Sequence, residues 1–166
     1  MKNLIGKTAI VTGASRGIGV HIVDSLTKNV VNVIGIARSK EGLKTTAKIV
    51  ENNQGEFSFL EFDLSDTLKI SNLVDKFDNV DFLINNAGIE IYREFENYQF
   101  DEIEKILKVN LLGPMELTRQ LIPQIKQNKG HIVNIASLAG KKGVLYNGVY
   151  SATKSGLILW SDALDQ

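Results

Sequence analysis

The sequence predicts an α/β domain built on a doubly wound parallel sheet with helices on both faces. Three observations carry that expectation. Short β-branched runs alternate with longer stretches of helical periodicity, several of those runs are apolar on both faces, and a glycine-rich turn follows the first. Alternation favours parallel pairing, because a parallel neighbour is reached through a crossover helix. Strands apolar on both faces suit a sheet covered from above and below.

The first run is "TAIVT" (8–12), followed by a turn into helical periodicity over 17–28. "NVIGIA" (32–37) leads into a helix over 40–53, and "FSFLEFD" (57–63) into one over 66–78. Ser65 is placed as the N-cap of "DTLKISNLVDKF". "VDFLIN" (80–85) precedes a long helical stretch over 99–128. Gly113-Pro114 must disturb that helix, since proline lacks an N–H and clashes with the preceding turn. "HIVNIAS" (131–137) is the fifth strand and 149–166 the last helix. The expected strand order is 3-2-1-4-5, which leaves "HIVNIAS" as an unpaired, apolar edge.

Length bounds the chain to one domain, 1–166, since 166 residues bury one good core but not two. Apolar residues make up 43% and charged residues 23%, the balance of a soluble globular protein. Lys+Arg and Asp+Glu number 19 each, and a formal charge of zero speaks against nucleic acid or a membrane surface as partner. The absence of cysteine removes disulfides, thiolate catalysis and zinc–thiolate sites. His21 and His131 stand far apart without a carboxylate in ligand spacing, so no metal site is expected. The start lacks an unbroken apolar segment and no run of 18 apolar residues follows, which makes a cytoplasmic location the expectation.

Ligands of such sheets bind outside the carboxyl ends of the strands. After "TAIV" comes "TGASRGIG" (12–19), where Gly13, Gly17 and Gly19 fall at the turn from strand to helix. Glycines there let a backbone approach a diphosphate and aim helix N–H groups at it. The spacing is G-x-x-x-G-x-G, and a glycine-rich turn without a ligand is the alternative. The second strand ends without an acid, but Arg38 follows Gly19 by 19 residues. Arg16 lies inside the turn, and two guanidiniums suit a ribose 2′-phosphate by fork geometry and charge. NADP(H) is therefore expected over NAD(H), with two solvated surface arginines as the alternative.

"TGASRGIG", "NNAG" (85–88), Asn110, Ser137 and "YSATK" (150–154) together resemble the classical short-chain dehydrogenase/reductase family, from about Thr8 to the last residue. Ser137 precedes Tyr150 by 13 residues, as in the family pattern. The resemblance implies a Rossmann-like fold and an oxidoreductase acting on a small carbonyl or alcohol substrate. It implies a cofactor site of Gly13, Ser15, Arg16, Gly17, Ile18, Gly19 and Arg38, with Asp63 and Leu64 at the adenine and Asn86, Ala87 and Gly88 near the adenosine ribose. Tyr150 and Lys154 would hold the nicotinamide ribose, and Ser137, Tyr150, Lys154 and Asn110 would form a catalytic tetrad. Asp63 as a local cap, Asn85–Asn86 as a turn and Asn110 at a helix bend remain the structural alternatives.

The chemistry accounts for the residue types. Hydride transfer belongs to the nicotinamide, and the protein manages the proton on oxygen. A free phenol ionises near pH 10 and is a poor base at neutral pH. Residues four apart share a helix face, so the Lys154 ammonium can stand by the Tyr150 phenol, and nearby positive charge favours phenolate. Ser137 would hydrogen-bond the substrate carbonyl, and Asn110 would hold a water linking Lys154 to solvent.

Two departures stand out. The loop "TKNVVNV" lacks the glycine usual in the family, and Asn29 is expected to take the left-handed conformation there. The sequence also ends at Gln166, part-way along its last helix, whereas family members continue through further strands. The expectation is a fragment, or association through the fifth-strand edge and its flanking helices as a homodimer or homotetramer. A non-catalytic nucleotide-binding or assembly module is the alternative function.

Overall fold

The computed structural model describes residues 4–165. Five parallel strands form one sheet in the order β3-β2-β1-β4-β5. They are β1 (Thr8–Thr12), β2 (Asn32–Ala37), β3 (Phe57–Glu61), β4 (Phe82–Asn85) and β5 (His131–Asn134). The helices are α1 (Ile18–Lys28), α2 (Lys40–Val50), α3 (Ile70–Val74), α4 (Phe100–Leu107), α5 (Gly113–Gln127) and α6 (Gly148–Leu164). Gln166, at the end of the expected last helix, lies outside the described residues. No described helix is long and apolar enough to cross a membrane.

The alternation within β1 generates both layers of core. Ile10 faces one cluster with Ile36, Leu83, Ile70, Leu117 and Leu121, under α3 and α5. Its neighbours Ala9 and Val11 face the other, with Val23, Val33, Leu43 and Ile84, under α1 and α2. Period-2 alternation on a central strand thus serves two apolar faces. The amino-terminal end of the sheet is tied by Asp81, which is buried. Its carboxylate accepts from Lys7 Nζ at 2.7 Å and from Thr8 N at 2.9 Å.

Several expected boundaries are corrected. The third strand stops at Glu61 rather than 63, the fourth starts at Phe82, and the fifth ends at Asn134 rather than 137. The helix expected over 40–53 ends at Val50. That expected over 66–78 is a 3₁₀ turn, Thr67–Lys69, followed by the short α3. Ser65 does not cap it, because its N–H and hydroxyl both donate to Asp63 Oδ1, at 2.9 and 2.8 Å. The carboxylate is the better acceptor and closes the turn at 63–65, while the 3₁₀ turn starts after Asp66 with no side-chain cap.

The stretch 99–128 divides into α4, a π-helical turn at Lys108–Leu112, and α5 with Pro114 in its first turn. The helix runs on through the π turn, where Gly113 N–H donates to Lys108 O, and Pro114, which lacks an N–H, falls where the ladder is already widened. At the α1–β2 connection, Asn29 remains right-handed at φ −94°, and Val30 takes the left-handed conformation at φ 60°. Val30 is held there by its N–H to Thr27 O (3.1 Å) and by Gly6 N donating to its carbonyl (3.0 Å). A β-branched residue in that region costs about 1–2 kcal/mol, which the surrounding turn must offset.

Candidate functional site

Two adjoining cavities open at the carboxyl ends of the strands. The larger, about 830 Å³, runs from the β1 turn across the ends of β2 and β3 to the segment after β4. The smaller, about 360 Å³, continues it to Tyr150 and Lys154 on α6. Arg16, Ile18, Asn86, Gly88 and Ile89 line both.

The floor of the larger cavity is set by glycine geometry. Gly13 has φ 69°, and a Cβ there would sit 2.8 Å from Asn86 Nδ2 and 2.9 Å from Ala87 Cα. Gly17 is the N-cap of α1 at φ 55°, ψ −136°, a conformation open essentially to glycine alone. No side chain caps α1 and its first turn carries no acid, so its free N–H groups and positive dipole end face the cavity. Gly19 lies outside the lining. A Cβ on it would come within 2.1 Å of Gly13 O, so its role is close packing of helix on strand.

Thr12 and Asn86 lock this turn to the segment after β4. Thr12 Oγ1 accepts from the N–H groups of Asn86 and Ala87, both at 3.0 Å. Asn86 Nδ2 donates to Thr12 O at 2.9 Å and Gly13 O at 3.3 Å. Asn85 reaches across the sheet to Thr118 Oγ1 (3.1 Å) and Asn134 Oδ1 (2.8 Å). The two asparagine side chains therefore make long-range bonds, alongside a local turn in which Asn86 N–H donates to Ile84 O at 3.1 Å.

Ser15, Arg16, Arg38, Asp63, Leu64, Ala87 and Gly88 all line the larger cavity, together with Ser39, which the sequence reading missed. The signal was present, since Ser39 follows Arg38 directly and caps α2 by accepting from Gly42 N at 3.1 Å. Arg38 Nη1 stands 3.8 Å from Asp63 Oδ2. Burial would raise the Asp63 carboxyl, but the hydrogen bonds from Ser65 and the field of Arg38 outweigh it and hold it below the usual aspartate value. Asp63 thus closes its local turn and also holds a place in the cavity.

At the second cavity, Lys154 is only 4% exposed. Its Nζ donates to Ile135 O at 2.7 Å and lies 5.7 Å from the centre of the Tyr150 ring. Burial pulls the ammonium below the ordinary lysine range. Gly88 abuts this group, for a Cβ on it would lie 3.7 Å from Lys154 Nζ and 3.6 Å from Asn110 Oδ1. Asn110, fully buried in the π-helical turn, donates to Ile89 O (2.8 Å) and Thr153 Oγ1 (3.2 Å) and accepts from Ile89 N (2.8 Å). Both amide hydrogens are thereby committed to protein partners, and the side chain clamps the β4 exit to α6.

Ser137 does not line either cavity. Its hydroxyl accepts from Ala139 N at 3.2 Å and caps the 3₁₀ turn Leu138–Gly140. That turn is pressed on α6, since a Cβ on Gly140 would come 2.6 Å from the Lys154 backbone. The structure therefore joins Tyr150, Lys154, Gly88 and Asn110 and sets Ser137 on a turn packed against them.

The chain matches the short chain dehydrogenase family over residues 7–166. It is 48% identical to the ketoacyl reductase HetN of a Nostoc species, across the whole of this chain and 60% of that protein. It is 36% identical to a fatty acyl-CoA reductase of Acinetobacter baylyi, across 98% of this chain and 58% of that one. The chain thus spans about 60% of the length of these relatives. Among solved structures, a metagenomic short-chain oxidoreductase in complex with NADP superimposes with a TM-score of 0.89 at 34% identity, over 98% of this chain and 75% of that one. With the family matched along nearly every residue and the sheet order and glycine turn to go with it, the chain belongs to the short-chain dehydrogenase family of oxidoreductases.

Proposed function

We propose that the protein reduces a carbonyl, or oxidises the corresponding alcohol, with NADP(H), and that Tyr150 is its proton donor and acceptor. The observation that carries this reading is the continuity of the two cavities. A glycine turn with an uncapped helix N-terminus and two arginines opens directly onto a tyrosine with a buried lysine beside it.

The residues present fit a phosphorylated dinucleotide. The cradle at Gly13 and Gly17 would fill with any Cβ or strain with any side chain, and the uncapped N-terminus of α1 suits a diphosphate. Arg16, Arg38 and Ser39 would receive the 2′-phosphate, Asp63 and Leu64 the adenine, and Asn86, Ala87 and Gly88 the adenosine ribose. Ser15 and Ile18 would flank the diphosphate, and Tyr150 with Lys154 would hold the second ribose. The bound nicotinamide supplies or accepts the hydride. Tyr150 passes a proton to the substrate oxygen in reduction and takes it in oxidation, with Lys154 stabilising the phenolate. Ser137, whose oxygen accepts from Ala139 N, would still have its hydroxyl hydrogen to donate to that oxygen on reorienting from the turn, and Asn110 keeps α6 at the right distance from Gly88. The exposed edge at β5 supports association of copies as a homodimer or homotetramer.

The deciding experiment couples binding to turnover. NADPH is expected to raise Tm more than NADH, and Tyr150→Phe to lower carbonyl reduction at least a hundredfold while keeping the NADPH shift. Full turnover by Tyr150→Phe would rule out its role. NADPH binding with no turnover by the unmodified chain would favour the nucleotide-binding module instead.

A further inference from the structure

We infer that Thr153 is a positioning residue for the proton donor: its hydroxyl, donating to the Tyr150 carbonyl and accepting from the Asn110 amide, sets where the phenol stands against the segment after β4. The stretch "YSATK" gives Tyr150 and Lys154 a use in the reaction and leaves Thr153 without one. Thr153 is fully buried and lines neither cavity, so it touches no substrate itself. Its Oγ1 lies 2.7 Å from Tyr150 O and 3.2 Å from Asn110 Nδ2. A hydroxyl has a single hydrogen and a carbonyl can only accept, so that hydrogen goes to Tyr150 O and the Asn110 bond is received by the oxygen.

The phenol oxygen of Tyr150 makes no hydrogen bond among the described residues. Its place therefore follows from the backbone beneath it and from the Lys154 ammonium, 5.7 Å from the ring centre. Within α6 the carbonyl of residue 150 is the acceptor for the N–H of residue 154, one turn on. Thr153 adds a second donor to the same oxygen, and a threonine that bonds back into its own helix tilts the carbonyl and bends the helix slightly. The hydroxyl thus acts on the backbone that Tyr150 and Lys154 share.

The same hydroxyl ties this turn of helix to the rest of the site. Asn110 bonds both backbone groups of Ile89, at 2.8 Å each, and gives its remaining amide hydrogen to Thr153. Gly88, one residue before Ile89, abuts the Lys154 ammonium, for a Cβ on it would lie 3.7 Å from Nζ. A line of bonds therefore runs from Ile89 through Asn110 and Thr153 to the Tyr150 backbone, and neither Asn110 nor Thr153 lines a cavity. Lys154 has a side-chain tie of its own, from Nζ to Ile135 O at 2.7 Å, whereas Tyr150 depends on the backbone one. Without the Thr153 hydroxyl that backbone can drift, and a misplacement near 1 Å costs about a hundredfold in rate.

This inference rests on the reading of Tyr150 as proton donor, and its test separates the two. Thr153→Ser and Thr153→Ala differ by one oxygen atom, and Thr153→Val keeps the branched shape without the hydroxyl. With NADPH and a carbonyl compound that the unmodified protein reduces, kcat is expected to fall about tenfold in Thr153→Ala and Thr153→Val and to stay within about twofold in Thr153→Ser, with KM unchanged. Either hydroxyl-free variant suffices, whichever folds. A packing role would instead leave Thr153→Val closest to the unmodified protein; that order, or an equal loss in Thr153→Ser and Thr153→Ala, overturns the inference. Independently of turnover, each protein is labelled with 3-fluorotyrosine, and the fluorine resonance missing from Tyr150→Phe is followed by NMR. It is expected to shift in Thr153→Ala and Thr153→Val and to return in Thr153→Ser, while the other tyrosine resonances stay put. That result upholds the inference even if no carbonyl compound is reduced, an outcome that counts against the catalytic reading alone. A Tyr150 resonance unmoved in the hydroxyl-free variants overturns it.

Discussion

Tyr150 and Lys154 lie one helical turn apart, yet only the lysine is buried, and its burial is what gives the pair meaning. An ammonium at 4% exposure forfeits much of its hydration, and in return it has one carbonyl, Ile135 O, and the neighbouring phenol ring. At the other end of the site, Arg38 is paired only loosely, 3.8 Å from Asp63, and both side chains are part-exposed. An exposed pair at that distance contributes little to stability, so Arg38 is free to serve a ligand. Replacing Arg38 by Ala is expected to weaken NADPH binding about 10- to 100-fold, the loss of one charge-assisted contact, and NADH binding far less. Fluorescence titration with both dinucleotides checks it, and equal losses for the two would rule out a 2′-phosphate contact.

Among the elements, the π-helical turn between α4 and α5 organises the site most. Such turns widen a helix by one residue and recur at functional sites. Here the turn delivers Asn110 to a position where its amide satisfies both backbone groups of Ile89 and the Thr153 hydroxyl of α6. Asn110→Ala would strand the half-buried Ile89 N–H and C=O, at about 1–2 kcal/mol. For a domain of this size that lowers Tm by roughly 3–6 °C, and calorimetry measures it. If stability were unchanged, the clamp would not hold these elements together. The sequence announced the disturbance through Gly113-Pro114 but not its form, because which carbonyl a helix releases depends on what its neighbours can bond.

For the molecule as a whole, the sheet has covered and uncovered regions. β2, β1 and β4 lie inside, while among the described residues β3 pairs with β2 alone and β5 with β4 alone. Val133 on β5 is 46% exposed, and His131 beside it is exposed too, stacked on Phe82 at 6.2 Å between ring centres. An open parallel edge with an apolar side chain on it is a template for another chain. Concentration-dependent association is expected, read as a rise in mass by static light scattering. Val133→Lys, which places a charge on that edge, should shift the protein toward monomer; an unchanged mass would point to the helices instead.

From the sequence alone came the fold class, the strand order and the places of most cavity-lining residues, since those depend on period-2 and period-3.6 patterns and on local spacing. Gly13 and Gly17 were legible because turn geometry admits little else there. What tertiary structure decided were matters of competition between partners distant in sequence. Ser65 gave its N–H and hydroxyl to Asp63, the stronger acceptor, and so caps no helix. Val30 rather than Asn29 turned left-handed because Gly6 and Thr27 hold it. Asn110 spent its amide on Ile89 and Thr153, and Glu90 met Asn147 across 57 residues. Local pattern specifies which elements form; the hydrogen-bonding partner of a buried polar group is known only once the chain has closed around it.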